Sequence, residues 1–120
     1  MSELYRWVDA EDADRGTSGR IRKIRQALDT EAIGINQFHL EPGQEGHRHD
    51  ELKTGDEEVY LVLAGSGVMR VAGDEVELRP GRYLLVAPEA TRQPVAGPDG
   101  LVFVCVGAPH GGREQRRDSL

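Results

Sequence analysis

Short apolar runs separated by glycine- and proline-containing turns make up most of this chain. The apolar runs of strand length are residues 59–63, 68–72, 83–87 and 101–106, and the turn signals include Pro42-Gly43, Gly73-Asp74 and Pro80-Gly81. Strands spaced about eight to twelve residues apart, with Gly and Pro between them, are typical of antiparallel sandwiches and barrels. The pattern therefore predicts a single all-β domain.

Three segments are harder to interpret. In residues 20–28 (RIRKIRQAL) the apolar positions fit helical spacing, but turn and strand signals follow closely, and we predict a strand. Gly65-Ser66-Gly67 separates two apolar runs and predicts a hairpin turn, because no helix follows that would make it a phosphate-binding loop. Residues 97–100 (GPDG) predict a further turn.

The two ends of the chain differ from its middle. Residues 1–20 are highly charged and end in RGTSG, which predicts a flexible or loosely docked segment that Tyr5 and Trp7 attach to the barrel or to a partner subunit. Residues 110–120 are rich in glycine and charge, and we predict a disordered tail in which His110 is solvated. The β-barrel is assigned to residues 21–109.

Composition excludes several classes of function. The net charge of −6 and the pI of about 5.2 argue against nucleic acid as a partner. The single cysteine, Cys105, lies in an apolar run, so no disulfide framework exists and a reducing cytoplasm is favoured. Neither a secretory signal nor an apolar run of the ~20 residues that span a bilayer is evident. We therefore expect a cytoplasmic protein without a membrane partner.

Potential metal ligands cluster in one stretch. Side chains alternate faces in an extended segment, so His47 and His49 point the same way, and Glu58 begins the next apolar run. Imidazole and carboxylate together suit a divalent metal that takes nitrogen and oxygen donors. Residues 33–40 predict a further strand, and His39 within it is interpreted as a hydrogen-bonded histidine on a strand face. Cys105 is interpreted as a small packed hydrophobe without a nearby base.

These residues carry a family likeness. The chain resembles the first motif of the cupin superfamily in its order of residues: a glycine, then His47-Arg48-His49, then Glu58, and then Gly65 after six further residues. The chain is similar to the second motif in having Gly73-Asp74-Glu75-Val76, then Pro80-Gly81, and then a strand that ends at Pro88. The resemblance implies a small antiparallel jelly-roll (cupin) β-barrel with a small-molecule site inside, often a homodimer. It also implies that His47, His49 and Glu58 bind a divalent metal (Fe, Mn, Ni, Cu or Zn).

The sequence departs from the cupin pattern in three places. Eight residues separate His49 from Glu58, where the motif has about three or four, although extra loop length costs little free energy. Gly43 is also closer to His47 than in the motif. The last histidine is missing: counting from Pro88 its place falls on Gln93, and counting from Gly81 on Arg92. Gln93 would add a weak amide donor, whereas Arg92 would repel a metal and bind an anion.

Two functions follow from these alternatives. The first is a metal-dependent enzyme, an oxygenase or isomerase, acting on an unknown small molecule at an open coordination position. The second is a metal-free sensor or accessory protein in which Arg92, the histidines and Tyr60 hold a small anion. If Glu58 faces inward, Tyr60 and Val62 do so too. Tyr60 is therefore the candidate catalytic or ligand-binding hydroxyl, unless it only fills the barrel.

Overall fold

The computed structural model describes residues 4–109 of the chain. Its strands are β1 (Ile21–Arg22), β2 (Gly34–Leu40), β3 (Asp56–Val71), β4 (Asp74–Leu78), β5 (Tyr83–Val86) and β6 (Arg92–Pro109). One short helix, α1 (Ile24–Leu28), and a 3₁₀ turn at Ala10–Asp12 complete the regular structure. The fold is mostly antiparallel β-sheet, as the pattern of short apolar runs predicts.

Two long strands organise the sheet. The strand order is β1-β2-β6-β3-β4, and β5 pairs with the first half of β3. β3 and β6 pair along nearly their whole length, with register shifts between Val62 and Ala64 and between Gly65 and Gly67. β4 pairs with the second half of β3, beyond these shifts. The sheet therefore changes course in the middle of its two longest strands, which allows it to enclose a core.

The predicted hairpin at Gly65-Ser66-Gly67 is wrong. β3 passes through these residues without reversing, and β6 likewise passes through residues 97–100. Gly65 has a φ of +80°, and a Cβ atom built on it would lie 2.1 Å from the carbonyl oxygen of Gly100. Glycine is needed there because the two backbones approach too closely for any side chain. Glycine is typical of a turn in the sequence, but in this structure Gly65 permits a bend where β3 and β6 pair with a shift in register.

The strand predicted over residues 20–28 is correct only at its start. β1 contains two residues, and the helical spacing of Ile24 and Leu28 is realised as the single turn of α1. Asp29 ends the helix in the left-handed conformation (φ 53°), and its N–H donates to the carbonyl oxygen of Arg25 at 2.8 Å. The segment is therefore a strand followed by a helix.

Inward-facing side chains form one core. Tyr60 and Val62 on β3 are buried, as the alternation from Glu58 predicts. They pack with buried residues from the other strands: Leu40, Met69, Leu78, Val86, Ala96, Leu101 and Phe103. Phe103 stacks on Phe38 with ring centroids 5.2 Å apart. The core fills one part of the barrel and leaves the region beside Glu58 to polar side chains.

Residues 4–20 contact the barrel at several points. The guanidinium of Arg6 donates to the backbone carbonyl oxygens of Leu28 and Asp29, and Lys23 N–H donates to the carbonyl oxygen of Asp14. Trp7 is 62% exposed, and whether it contacts a partner subunit stays a prediction. The tail predicted at residues 110–120, with His110, lies outside the described residues. No helix within residues 4–109 is long and apolar enough to cross a bilayer.

Candidate metal centre

The histidine pair is held against the start of β6 by backbone hydrogen bonds. His49 and Arg92 exchange both backbone bonds, at 3.0 and 2.9 Å. Gly46 N–H donates to the carbonyl oxygen of Pro94 at 2.7 Å, three residues earlier along the same segment. A Cβ atom on Gly46 would lie 2.8 Å from the ring of Pro94, so the close approach requires glycine. His47 and His49 therefore lie next to the start of β6, where the second cupin motif would have its histidine.

His49, Glu51 and Glu58 bring three donor groups together. One ligand atom from each lies within 4.8 Å of the other two. His49 Nε2 is 3.2 Å from Glu51 Oε1 and 3.5 Å from Glu58 Oε1. All three side chains are partly buried. One imidazole nitrogen and two carboxylates are a donor set that suits a divalent transition metal.

Glu51 is the site residue that the sequence analysis missed. It lies in the long loop between His49 and Glu58, where its N–H donates to the carbonyl oxygen of Pro88 at 2.9 Å. Thr54 Oγ1 donates to Glu51 Oε2 at 3.0 Å and helps to orient the carboxylate. The sequence feature that could have indicated Glu51 is the length of this loop. The residues that exceed the cupin spacing fold back and bring an acidic side chain to the site.

Arg92 lies behind Glu58. It is 0% exposed, and its Nη2 donates to Glu58 Oε1 at 3.0 Å. Its other donors reach the carbonyl oxygens of Ala90 (2.6 Å) and Ala87 (3.3 Å) and the hydroxyl of Tyr60 (3.4 Å). The guanidinium is thus bound by protein groups on all sides. Direct binding of a ligand by Arg92 stays a prediction, and it would require this cluster to rearrange.

Gln93 faces away from this cluster. Its amide nitrogen donates to the carbonyl oxygen of Gly46 at 3.2 Å, and its amide oxygen accepts from Arg70 at 3.3 Å. Of the two positions that the sequence left open for the missing histidine, position 92 is the one whose side chain contacts Glu58. A metal-ligand role for Gln93 stays a prediction that this orientation does not favour.

His47 is close to the donor group but not among its converging atoms. Its ring is stacked on that of His49, with centroids 5.2 Å apart and planes inclined by 20°. His47 also lines the cavity described below. The prediction that His47 binds the metal therefore remains open, because the stacked ring would have to rotate to direct a nitrogen at the other donors. His39 lies outside this cavity and contacts Gln37 at 2.9 Å.

Hydrogen bonds keep Glu58 ionised. Burial alone would raise its pKa, but hydrogen bonds from His49, Tyr60 and Cys105 and the charge of Arg92 lower it to about 2. The hydrogen bond with Glu58 raises the pKa of His49 against the opposing effect of burial. Burial would also lower the pKa of Arg92, but its contacts with Tyr60 and Glu58 raise it. The site therefore presents a fixed carboxylate at neutral pH.

Tyr60 and Cys105 are held in their neutral forms. Burial, the charge of Glu58 and the neighbouring thiol raise the pKa of Tyr60 far above its usual range. Burial and Glu58 also raise the pKa of the Cys105 thiol. The hydroxyl of Tyr60 donates to Glu58 Oε1 at 2.8 Å. Tyr60 is therefore a hydrogen-bond donor to the carboxylate in this structure, and its catalytic role stays a prediction.

An open cavity of about 700 Å³ lies over the donor group. Its polar side includes His47, His49, Glu51 and Glu58, and its apolar side includes Phe38, Leu40 and Phe103. Volumes of this size hold a small molecule. A metal bound by His49, Glu51 and Glu58 would thus be accessible to a substrate.

Comparison with known proteins identifies the fold. A cupin protein of Bacteroides fragilis superposes with a TM-score of 0.75 and 26% identity, over 92% of this chain and 88% of that one. A sugar phosphate isomerase from a cupin superfamily, from Silicibacter pomeroyi, superposes with a TM-score of 0.70 and 19% identity, over 86% and 75% of the chains. The resemblance to the cupin superfamily is confirmed, and the protein has the cupin fold.

Sequence comparison adds one relative with a named activity. The chain is 38% identical over 73 residues to the dimethylsulfoniopropionate lyase DddW of Ruegeria pomeroyi (strain ATCC 700808 / DSM 15171 / DSS-3). The match covers 59% of this chain and 43% of the lyase, so the chain spans less than half the length of this curated relative. No protein-family model matches the chain.

Proposed function

We propose that this protein is a metal-dependent cupin enzyme that acts on a small molecule in the cavity. His49, Glu51 and Glu58 hold the divalent metal, and His47 lies beside them. The observation that carries the proposal is the convergence of these three donors within 4.8 Å under an open cavity. A metal bound there supplies a Lewis acid that stabilises negative charge on a substrate oxygen.

The protein groups around the donors prepare the site. Arg92 and Tyr60 both donate to Oε1 of Glu58, so one carboxylate oxygen is fixed in place by the protein. The second oxygen is not used by either of these donors. Glu51 and Glu58 together carry more negative charge than the single guanidinium of Arg92 neutralises. With His49 in the neutral form that binds a metal, the donor group therefore keeps a net negative charge that attracts a divalent cation.

The names of two similar proteins bear on the class of reaction that we propose for this protein. The sequence relative is a lyase by name and one structural neighbour is an isomerase by name. Both reaction types are consistent with Lewis-acid chemistry that needs no change in metal oxidation state. We favour a lyase or isomerase over an oxygenase on this ground. The 38% identity to the lyase supports this choice, whereas the isomerase likeness concerns the fold.

A second candidate is the metal-free binding protein. The observation that favours it is the 3.0 Å pair between Arg92 and Glu58, which satisfies the carboxylate without a metal. In that case His49, Glu51 and Glu58 form a hydrogen-bonded polar cluster at the barrel mouth. Metal content separates the two candidates directly.

Elemental analysis of the untagged protein is the experiment that tests the proposal. We expect near-stoichiometric divalent metal in wild type and its loss in His49→Ala, Glu51→Gln and Glu58→Gln. Glu57→Gln and His39→Gln are the matched controls, because Glu57 is exposed next to Glu58 and His39 lies outside the cavity. Wild-type protein that takes up no metal even after metal is added back would leave the metal-free binding protein as the function.

A further inference from the structure

A free cation lies on the wall of the cavity that holds the candidate metal centre. Arg20, an exposed residue immediately before β1, lines the cavity, and it is the single arginine or lysine among the described residues that do so. Within residues 4–109 its guanidinium has no hydrogen bond or ion pair to a protein group. Its backbone is fixed, because His39 N–H donates to the carbonyl oxygen of Arg20 at 2.7 Å.

A hydroxyl group lines the same cavity as Arg20. Ser18 also lines the cavity, and its Oγ accepts a hydrogen bond from the backbone N–H of Arg20 at 3.2 Å. The hydroxyl proton of Ser18 has no acceptor among the described residues and is available to a ligand. A guanidinium and a hydroxyl that line the same cavity are donors that can bind the two oxygens of a carboxylate.

One side of the cavity is apolar. Phe38 and Phe103 form a stacked pair there, and Ile21 and Leu40 extend the same surface. Such a wall favours a ligand with a hydrocarbon or aromatic body rather than a polyhydroxylated one. The cavity therefore combines one cationic position with an apolar surface.

The charge balance disfavours a phosphate group. Asp50, Glu51 and Glu58 line the same cavity, so in the metal-free protein a dianion would be repelled more strongly than a monoanion. One guanidinium also neutralises only part of the charge of a phosphate monoester at neutral pH. In the absence of a metal, these features separate the expected ligand from a sugar phosphate.

We propose that the substrate of the metal centre is a small monocarboxylate with an apolar body, whose carboxylate is bound by Arg20 and Ser18. That this ligand is a substrate rests on the proposed function. The carboxylate site itself contains no metal ligand. Arg20 is thus a specificity-determining residue. It selects carboxylates, and the aromatic wall selects the apolar body.

Calorimetric titration with matched probes tests this proposal. Benzoate and butyrate are the monocarboxylates, benzamide and butyramide are their neutral counterparts, and glycerol phosphate is the dianion. Each is titrated into wild type, Arg20→Gln and Arg48→Gln. Arg48 is the control, because it is an exposed arginine between the two histidines that does not line this cavity.

We expect the monocarboxylates to bind wild type at least about tenfold more tightly than their amides, as for a charge-assisted hydrogen-bonded pair. Arg20→Gln removes this preference and Arg48→Gln keeps it. In the chelator-treated protein, an equal affinity for carboxylate and amide, tighter binding of glycerol phosphate, or a carboxylate preference that survives in Arg20→Gln each overturns the proposal.

Performing the titrations on manganese-loaded and on chelator-treated protein keeps the two proposals separate. If no metal binds but the carboxylate preference depends on Arg20, the carboxylate site stands and the metal-dependent function fails. If metal content is normal in every variant but Arg20 has no effect on benzoate binding, the metal centre stands and the carboxylate site fails.

Discussion

Arg92 Nη2 lies 3.0 Å from Glu58 Oε1, so a buried guanidinium contacts the carboxylate of the candidate metal centre. Position 92 is one of the two at which the cupin motif would have its last histidine. At this position a cation stands in place of a histidine, and it contacts Glu58, one of the ligands that the motif shares with this chain. The consequences for stability and for metal affinity can be measured independently.

Arg92→Met should destabilise the metal-free protein by about 3 kcal/mol, because it leaves a partly buried carboxylate without its cation. It also removes the donor to the carbonyl oxygens of Ala87 and Ala90. The free energy of unfolding from urea denaturation is the measurement. Arg79→Met is the matched control: its ion pair with Glu77 is exposed, so its loss should cost less than about 1 kcal/mol.

A double variant refines this prediction. Arg92→Met combined with Glu58→Gln removes both charges, and it should recover part of the stability that Arg92→Met loses. Losses that add without recovery would mean that Arg92 stabilises the fold through packing and its carbonyl contacts rather than through Glu58.

Arg92→His should strengthen metal binding by at least about tenfold, because it removes a cation near the metal and offers an imidazole at the second-motif position. Competition with a chromophoric chelator measures the change in dissociation constant. Gln93→His is the control, since the side chain at position 93 faces Gly46 and Arg70 instead of Glu58. Tighter binding in Gln93→His with no change in Arg92→His would show that the missing histidine belongs at position 93.

The pH dependence of stability should reveal the ionised state of Glu58. Its folded-state pKa is lowered from 4.5 to about 2, so the stabilisation is fully present above about pH 5 and is lost as the pH falls toward 2. In chelator-treated protein, wild type should lose stability between pH 5 and 3 more steeply than Glu58→Gln, by up to about 1.4 kcal/mol per pH unit. Equal slopes in wild type and Glu58→Gln would show that the carboxylate has no such interactions.

Gly65→Ala tests the bend in β3. The added methyl group would lie 2.1 Å from the carbonyl oxygen of Gly100, whereas a methyl group on Gly73 meets open space. Both glycines have positive φ, so both substitutions carry the conformational cost of about 1 kcal/mol. Thermal unfolding should show Gly65→Ala to be several kcal/mol less stable than Gly73→Ala, or unable to fold. Similar melting temperatures would contradict the close approach of the β3 and β6 backbones at Gly65.

The sequence predicted the parts of this structure that depend on alternation and on motif order. Glu58, Tyr60 and Val62 share a face because side chains alternate along a strand, and this holds for any pairing partner. The His47–His49 pair was recognisable for the same reason. The cupin resemblance added the topology that alternation alone does not specify.

The missed features depend on contacts between distant residues. Gly65 looks like a turn residue because a bend at a strand crossing and a hairpin both require glycine. Glu51 lies in a loop with no periodicity, and hydrogen bonds with Pro88 and Thr54 hold it at the site. The choice between Arg92 and Gln93 changed with a one-residue shift in alignment, and a one-residue shift in a strand reverses the face of every side chain.

The most direct test of the metal centre is an anomalous difference map from a crystal of the protein loaded with manganese. The account predicts a single strong peak between His49 Nε2 and the carboxylates of Glu51 and Glu58, with Arg92 still on Oε1 of Glu58. A map without a peak at this position, or with metal bound only elsewhere on the molecule, would contradict it.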